Sequence, residues 1–432
     1  MGQSAKTNRA EQLIARCRKL AMFSEDTGTL KRTFLSAPMV DVHQEIKSWL
    51  EPLGMQVWID AAGNFRALYP AAESSGPRLL IGSHLDTVPD AGAFDGILGV
   101  VLGVTLLEEL RGRRLAFGIE VVGFSEEEGV RFGRPLIGSR ALVGTLDEEL
   151  LNVVDGQGIS VRDAIRNFGL DCEQISEAKL SPDTVAYIEF HIEQGPVLEA
   201  LGKPLAAVEA IAGQSRLQIV FDGRANHAGT TPMNLRHDAI AGAAEWVLAV
   251  EKFAQKANNL VATVGKIDAK PGATNVIAGQ ASMTLDVRHG SDDARSRAVQ
   301  ELIACAHEIA QRRGLSVRKN VLLEQRAVAM DRFLAGEIER AIANTGCEPH
   351  RMVSGAGHDA MILAEKIPAG MIFLRTPGGI SHDPAESVAV EDVEKAIECG
   401  MRLLDQFASS PEFCKVASES SNTVSAEQRD RA

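Results

Sequence analysis

The sequence predicts an α/β fold: a mainly parallel sheet with helices on both faces, plus an inserted α+β domain. Two observations carry this expectation. Near residue 80, and again after residue 330, short apolar strands alternate with helical runs, the pattern of a parallel sheet covered on both sides. Between these stretches lies a β-rich block with only two helical runs, which interrupts the alternation.

Taken in order, residues 10–22 and 40–53 space their apolar side chains as helices do. Short strands follow at Gln56–Ile59 and Asn64–Tyr69, then a polar turn from Pro70 to Pro77. Arg78–Gly82 is a brief apolar strand, and the run Ile97–Leu107 is apolar on every side, which marks a buried helix. Gly118–Phe124 is the next buried strand, and Tyr187–His191 a third. In the middle block, strands are expected at Arg216–Asp222, Val261–Ile267 and Ser282–Arg288, and helices at Asp238–Gln255 and Asp292–Arg313. The alternation resumes with a helix at Asp331–Asn344, a strand at Ala369–Leu374 and a helix at Val390–Phe407. The expected division is therefore a discontinuous domain of residues 1–212 and 329–407, an insert of residues 213–328 acting as a lid, and a disordered tail of residues 408–432, rich in Ser, Glu and Thr.

Composition narrows the function. A chain of 432 residues fits two domains at roughly 100–200 residues each. Apolar residues make up 45% and charged residues 24%, which provides a core and argues against wholesale disorder. The net charge is −13, with acids spread along the chain, so nucleic acid and anionic membranes are not expected partners. Six cysteines without a CxxC pair read as reduced thiols. The start lacks an apolar signal core, and Lys6 stands where a myristoylation signal needs Ser or Thr, so the expected location is cytoplasmic.

Four clusters carry metal-ligand chemistry, each placed by this reading at or just after a strand. The first is Gly82-Ser-His84-Leu-Asp86 with Phe94-Asp95-Gly96, after the first parallel strand, where open α/β sheets place their sites. An imidazole and a carboxylate here suit cations, and Asp86 can orient His84. The second is Ser125-Glu126-Glu127-Glu128-Gly129, three acids that repel unless a cation or solvent relieves them. The third ends in His191-Ile-Glu193-Gln194, and the fourth is Gly378-Gly-Ile-Ser-His382. Taken singly, each also reads as a solvated loop or an acidic turn. Zinc, manganese and cobalt accept such a nitrogen and oxygen mixture.

The stretches GSHLDTVPDAGAFDG, SEEEGVRF, HIEQGPVLE, NHAGTTPM, TNVIAG, SGAGHDA and GGISHDPAE run in order from residue 82 to 387. They resemble the M20 metallopeptidase-like family, in the branch of allantoate amidohydrolases and N-carbamoyl-L-amino acid hydrolases. The resemblance implies two divalent ions per subunit, zinc or manganese, with cobalt or nickel as alternatives. It puts His84 and His191 on separate ions, Asp95 between them, Glu128 as a further ligand and His382 completing the second site. Glu127 would be the general base, with Glu126 the alternative one residue away. His227 would act on the oxyanion. Gln194, Gln214, Arg216, His227, Asn275, Arg288 and Gly357 would bind substrate. The insert would also serve dimerisation, giving a homodimer. The substrate would be a small ureido compound with a carboxylate, allantoate above all, releasing ammonia and CO2; the segment Ile211–Leu217, with Gln214 and Arg216, favours it over an N-carbamoyl amino acid. An N-carbamoyl-L-amino acid hydrolase or β-ureidopropionase is the alternative, with a peptidase, an aminoacylase or a non-catalytic homologue behind it.

Overall fold

The chain opens on α1 (Gly2–Ala21), whose Leu13, Cys17 and Leu20 form one fully buried stripe at helical spacing. The computed structural model describes residues 2–73, 76–410 and 413, with side chains described from residue 9. Helix α2 (Ala37–Leu50) carries a proline in its first turn, where no helical N–H is lost. Strands β1 (Gln56–Ile59), β2 (Phe65–Tyr69) and β3 (Arg78–His84) follow, then α3 (Ile97–Glu109) and β4 (Gly118–Phe124). Every side chain of α3 from Ile97 to Leu107 is buried, as its unbroken apolar run requires. Short helices α4 (Ile137–Val143), α5 (Glu148–Leu151) and α6 (Val161–Asn167) lead to β5 (Thr184–Ile192), buried along its whole length. Helix α7 (Val197–Leu201) and β6 (Leu205–Ile211) follow.

The next elements are β7 (Gly213–Asp222), β8 (Asn226–His227), α8 (Ala239–Lys256), β9 (Val261–Lys270), β10 (Val276–Ile277), β11 (Gln280–His289), α9 (Asp292–Arg313), β12 (Ser316–Gln325) and β13 (Val328–Ala329). The chain closes through α10 (Arg332–Asn344), β14 (Arg351–Ser354), α11 (Ala360–Leu363), β15 (Ala369–Leu374) and α12 (Val390–Ser409). Two units result: Met1–Glu209 with Met330–Met352 and His358–Ala432, and Ala210–Ala329 with Val353–Gly357. The return of Val353–Gly357 to the second unit differs from the expected boundaries.

The first unit holds a sheet in the order β1-β2-β4-β3-β5-β15-β6. Its centre, β4-β3-β5-β15, is parallel. Antiparallel strands flank it on both sides. Helices α1, α3, α10 and α12 contribute to one apolar core with these strands. Helix α12 runs two residues past the expected end at Phe407, and Phe413 is buried, stacked 4.2 Å from Phe407. The start of the expected tail therefore belongs to the core; the rest lies outside the described residues.

The second unit is a four-stranded antiparallel sheet, β12-β7-β11-β9, with α8 and α9 on one face. Along β11 burial alternates residue by residue: Ala281, Met283, Leu285 and Val287 point into the core. Helix α9 is fixed at its ends by Ser291, whose side chain accepts from Ala294 N, and by left-handed Gly314. Strand β12 was not expected. It is exposed along nearly its whole length and lacks the alternating pattern that marks a strand in sequence.

Two features of the first unit are testable. Glu120 is fully buried and accepts from Arg66 Nε at 2.6 Å and Arg78 Nη1 at 2.7 Å. Glu120→Ala leaves the buried Arg66 without its carboxylate and is expected to destabilise the fold by about 3–5 kcal/mol in denaturant titrations. His43 lies between Phe65 and Phe168, and burial, helped by the charge of Arg32, pushes its pKa down to about 3. The folded state thus holds His43 neutral where an unfolded chain protonates it. Its contribution is complete above about 6.5 and is lost as pH falls toward 3, by up to about 1.4 kcal/mol per unit. His43→Phe should flatten the acid limb of stability measured between pH 6.5 and 4; an unchanged slope would count against it.

Candidate metal centre

Four neighbouring parallel strands bring their C-terminal ends to one edge. His84 ends β3, and His191 lies one residue before the end of β5. The acids Glu127 and Glu128 follow β4, and His382 follows β15. Asp95 precedes α3. Residues nearly 300 positions apart are thereby assembled by strand order alone.

Asp95 is the centre of the arrangement. Its Oδ1 lies 3.2 Å from His191 Nε2 and 3.8 Å from His84 Nε2. Its Oδ2 lies 3.1 Å from His382 Nε2, which is 3.6 Å from Glu128 Oε1. Donors sharing one zinc ion at about 2.0–2.2 Å sit roughly 3.2–3.6 Å from each other, so these spacings suit two cations flanking one carboxylate. The groups His84–Asp95–His191 and Asp95–Glu128–His382 are each compact enough to hold an ion. The expectation put His84 and His191 on separate ions; here both rings face the same oxygen of Asp95, β3 and β5 being adjacent.

The donor chemistry fits a metal. Asp95 Oδ1 and His191 Nε2 are buried and make no hydrogen bond, an arrangement that is costly unless a cation satisfies both. His84 Nδ1 lies 3.0 Å from Asp86 O, and His191 Nδ1 lies 2.9 Å from Ile192 O. A carbonyl can only accept, so each ring carries a proton on Nδ1 and turns Nε2 toward Asp95. Burial pushes His191 down to about 4, keeping it neutral and able to ligate. Burial likewise pushes Glu128 up to about 7, His84 opposing, and holds Glu127 well above the usual carboxylate range. Acids in such positions hold their protons unless positive charge is supplied.

Further residues hold the ligands. Asp86 accepts from Glu127 N at 2.9 Å through Oδ1 and from Glu128 N at 3.0 Å through Oδ2, which fixes the acidic turn against β3. Its Oδ1 is also 3.5 Å from His84 Nδ1. Gly96 has φ of +67°, and a Cβ there would strike the His84 ring at 2.5 Å. Glu386, to which sequence reading gave no role, accepts from Phe94 N, Asp95 N and Ser381 Oγ at 2.8, 3.1 and 3.2 Å. It ties the loop of Asp95 to the loop of His382, and its only sequence signal is its place in the GGISHDPAE stretch. Gln194, expected to bind substrate, donates from Nε2 to Asp95 Oδ2 at 2.9 Å and to Ser381 Oγ at 3.2 Å. Gln194 and His382 both have positive φ, a strained conformation that these bonds sustain. Of the three acids, Glu127 and Glu128 group with His84, while Glu126 is fully buried and in no ligand group among the described residues.

The other expected site residues belong to the second unit. His227 pairs with Val276 across β8 and β10, and Ala228 N donates to Asn275 O at 2.9 Å, so His227 and Asn275 share one end of that ribbon. Gln214 and Arg216 alternate on β7, directly opposite Arg288 and Asp286 on β11. Gly357 follows β14, two residues beyond Gly355, whose carbonyl accepts from Arg288 Nη1 at 2.7 Å.

The sequence model of peptidase family M20/M25/M40 matches residues 80–406. The chain is similar to a probable allantoate deiminase of Oryza sativa subsp. japonica, 38% identical over 434 residues, covering 92% of this chain and 88% of the relative. It is also similar to an N-carbamoyl-L-amino acid amidohydrolase of Geobacillus stearothermophilus, 37% identical over 371 residues, covering 85% of this chain and 91% of the relative. Among solved structures, a hydantoinase/carbamoylase family amidase from Burkholderia multivorans superposes with a TM-score of 0.86 at 30% identity, over 93% of this chain and 98% of that one.

Both donor sets use Asp95. Asp95→Asn is therefore expected to lower the zinc bound by the purified chain by at least one ion, read by elemental analysis after dialysis. Full retention of the wild-type content would remove Asp95 from the bridging position.

Proposed function

Since the chain belongs to peptidase family M20/M25/M40, we propose that it is a metal-dependent amidohydrolase that cleaves a C–N bond of a ureido group, with allantoate as substrate. The observation that carries this reading is Asp95, whose two oxygens face two separate donor sets. The substrate rests on similarity to an allantoate deiminase. Two divalent cations, zinc or manganese, with cobalt or nickel as alternatives, would be held by His84, Asp95 and His191 and by Asp95, Glu128 and His382; they supply Lewis acidity and lower the pKa of water to about 7.

The chain's own groups do the rest. Glu127 takes the proton of the attacking water and passes it to the leaving nitrogen. Burial raises its pKa, which strengthens it as an acceptor for that proton. His227 donates to the developing oxyanion, and Arg288 grips the substrate carboxylate, as a fork of parallel donors does well. Gln214 and Arg216 take the second ureido group, with Asn275, Gln194 and Gly357 completing recognition. The products are ammonia, CO2 and ureidoglycine, from which a second water, releasing a second ammonia, gives ureidoglycolate. No helix among the described residues is long and apolar enough to cross a membrane. We further propose a cytoplasmic homodimer, with the second unit as lid and dimerisation domain.

Hydrolysis of an N-carbamoyl-L-amino acid is the second reading, favoured by the Geobacillus relative. Purified protein with Mn2+ or Zn2+ should release ammonia from allantoate faster than it hydrolyses a panel of N-carbamoyl-L-amino acids; the reverse order selects the second reading. Glu127→Gln should retain its metal content and lose about 10²–10⁴-fold in kcat. Full activity in that variant would move the base to Glu126.

A further inference from the structure

The face of the β7–β11 sheet opposite α8 and α9 carries a cluster of charged and amide side chains in register. Arg216 stands directly across from Asp286, and Gln214 across from Arg288. Asp286 serves both arginines. Its Oδ1 accepts from Arg288 Nε at 2.9 Å, and its Oδ2 from Arg288 Nη2 at 3.1 Å and Arg216 Nε at 2.9 Å. On the far edge, Arg288 Nη1 donates to Gly355 O at 2.7 Å. The guanidinium is thus held on two sides.

A guanidinium has five N–H donors. The bonds of Arg288 engage Nε and one hydrogen on each terminal nitrogen, which leaves one hydrogen on Nη1 and one on Nη2 to donate to a carboxylate. Arg216 commits only Nε, so its two terminal nitrogens make no hydrogen bond among the described residues. Beside them, Gln214 Nε2 donates to Gln325 Oε1 at 2.7 Å, which orients the amide and leaves Gln214 Oε1 without a hydrogen-bond partner. Burial raises the Asp286 carboxyl, but the bonds and charges of Arg288 and then Arg216 outweigh it and hold it below the usual range. Two guanidiniums and one carboxylate leave a single net positive charge.

We propose that Asp286 is a specificity-determining positioning residue: it fixes Arg288 for one carboxylate and cancels the second positive charge, so that this face selects monoanions carrying a neutral amide or ureido group over dianions. Arg216 then meets a carbonyl oxygen, and Gln214 Oε1 an N–H, of the neutral part. The inference rests on the assignment of Arg288 to the substrate carboxylate, and it names the class of substrate that this assignment admits.

The test separates the two ideas by reading binding as well as turnover. Calorimetric titration of the full, Mn2+-loaded chain with succinamate (one carboxylate, one amide) and with succinate (two carboxylates) should show the wild type preferring succinamate at least tenfold. Asp286→Asn should reduce or reverse that preference by at least tenfold, and Asp286→Glu should restore part of it. With allantoate as substrate, Asp286→Asn should raise KM at least tenfold and leave kcat within about threefold, at an unchanged Tm. A wild type without preference between the probes, or a variant with an unaltered preference, overturns the inference whatever the enzyme hydrolyses. Selective binding with no turnover of any ureido compound leaves the inference standing and overturns the proposed reaction.

Discussion

The structure is organised around a carboxylate with candidate metal ligands at both of its oxygens. Asp95 is buried, and its Oδ1 makes no hydrogen bond. Around it stand Glu127 and Glu128, acids raised by burial, and two fully enclosed imidazoles. Such a concentration of acids repels itself unless positive charge is present. Backbone N–H groups bind Asp86 and Glu386, and these order the acids and histidines without adding a positive charge. The two groups that share Asp95, one with His84 and His191 and one with Glu128 and His382, are each compact enough to hold a cation that would relieve this repulsion.

Sheet topology makes this concentration possible. Parallel strands all end at the same edge, so four loops from β4, β3, β5 and β15 deliver their side chains to one place. Rigidity comes from beneath, where α3 is apolar on every side and packs on β3 and β5. Above it, Asp86 and Glu386 bind the loops to one another: one joins β3 to the turn after β4, the other joins the start of α3 to the loop after β15. Ligand positions are thus set by hydrogen bonds among loops whose roots are already fixed by the sheet.

Most of this was legible in the sequence, for definable reasons. Long periodic elements declare themselves: Asp292–Arg313 and Ala369–Leu374 were placed to the residue. Motif residues at strand ends were recognisable because their chemistry is unusual there. What escaped depends on neighbours in space. That His84 and His191 face one oxygen of Asp95 was not legible, because motif order does not give strand order, and β3 lies beside β5. Glu386 escaped because its partners Phe94 and Asp95 lie 291 or more residues away. Strand β12 and the short helices α4 to α6 escaped because one is solvated along its length and the others are too short to show a period.

The metal centre and the polar face of β7 and β11 treat charge by opposite means. At the first, Asp86 and Glu386 accept from backbone N–H groups, which add order while leaving the negative charge in place. At the second, a carboxylate is set between two guanidiniums, which fixes geometry and subtracts charge. Each arrangement suits the ligand proposed for it. A cation needs its ligands ionised and uncompensated. A small monoanion needs one guanidinium free at its end and the rest of the positive charge withdrawn, since an unpaired second cation would reward the wrong substrate with a second ion pair. On the proposal made here, specificity on the polar face of β7 and β11 comes from the residue that removes attraction, Asp286, as much as from the arginines that supply it.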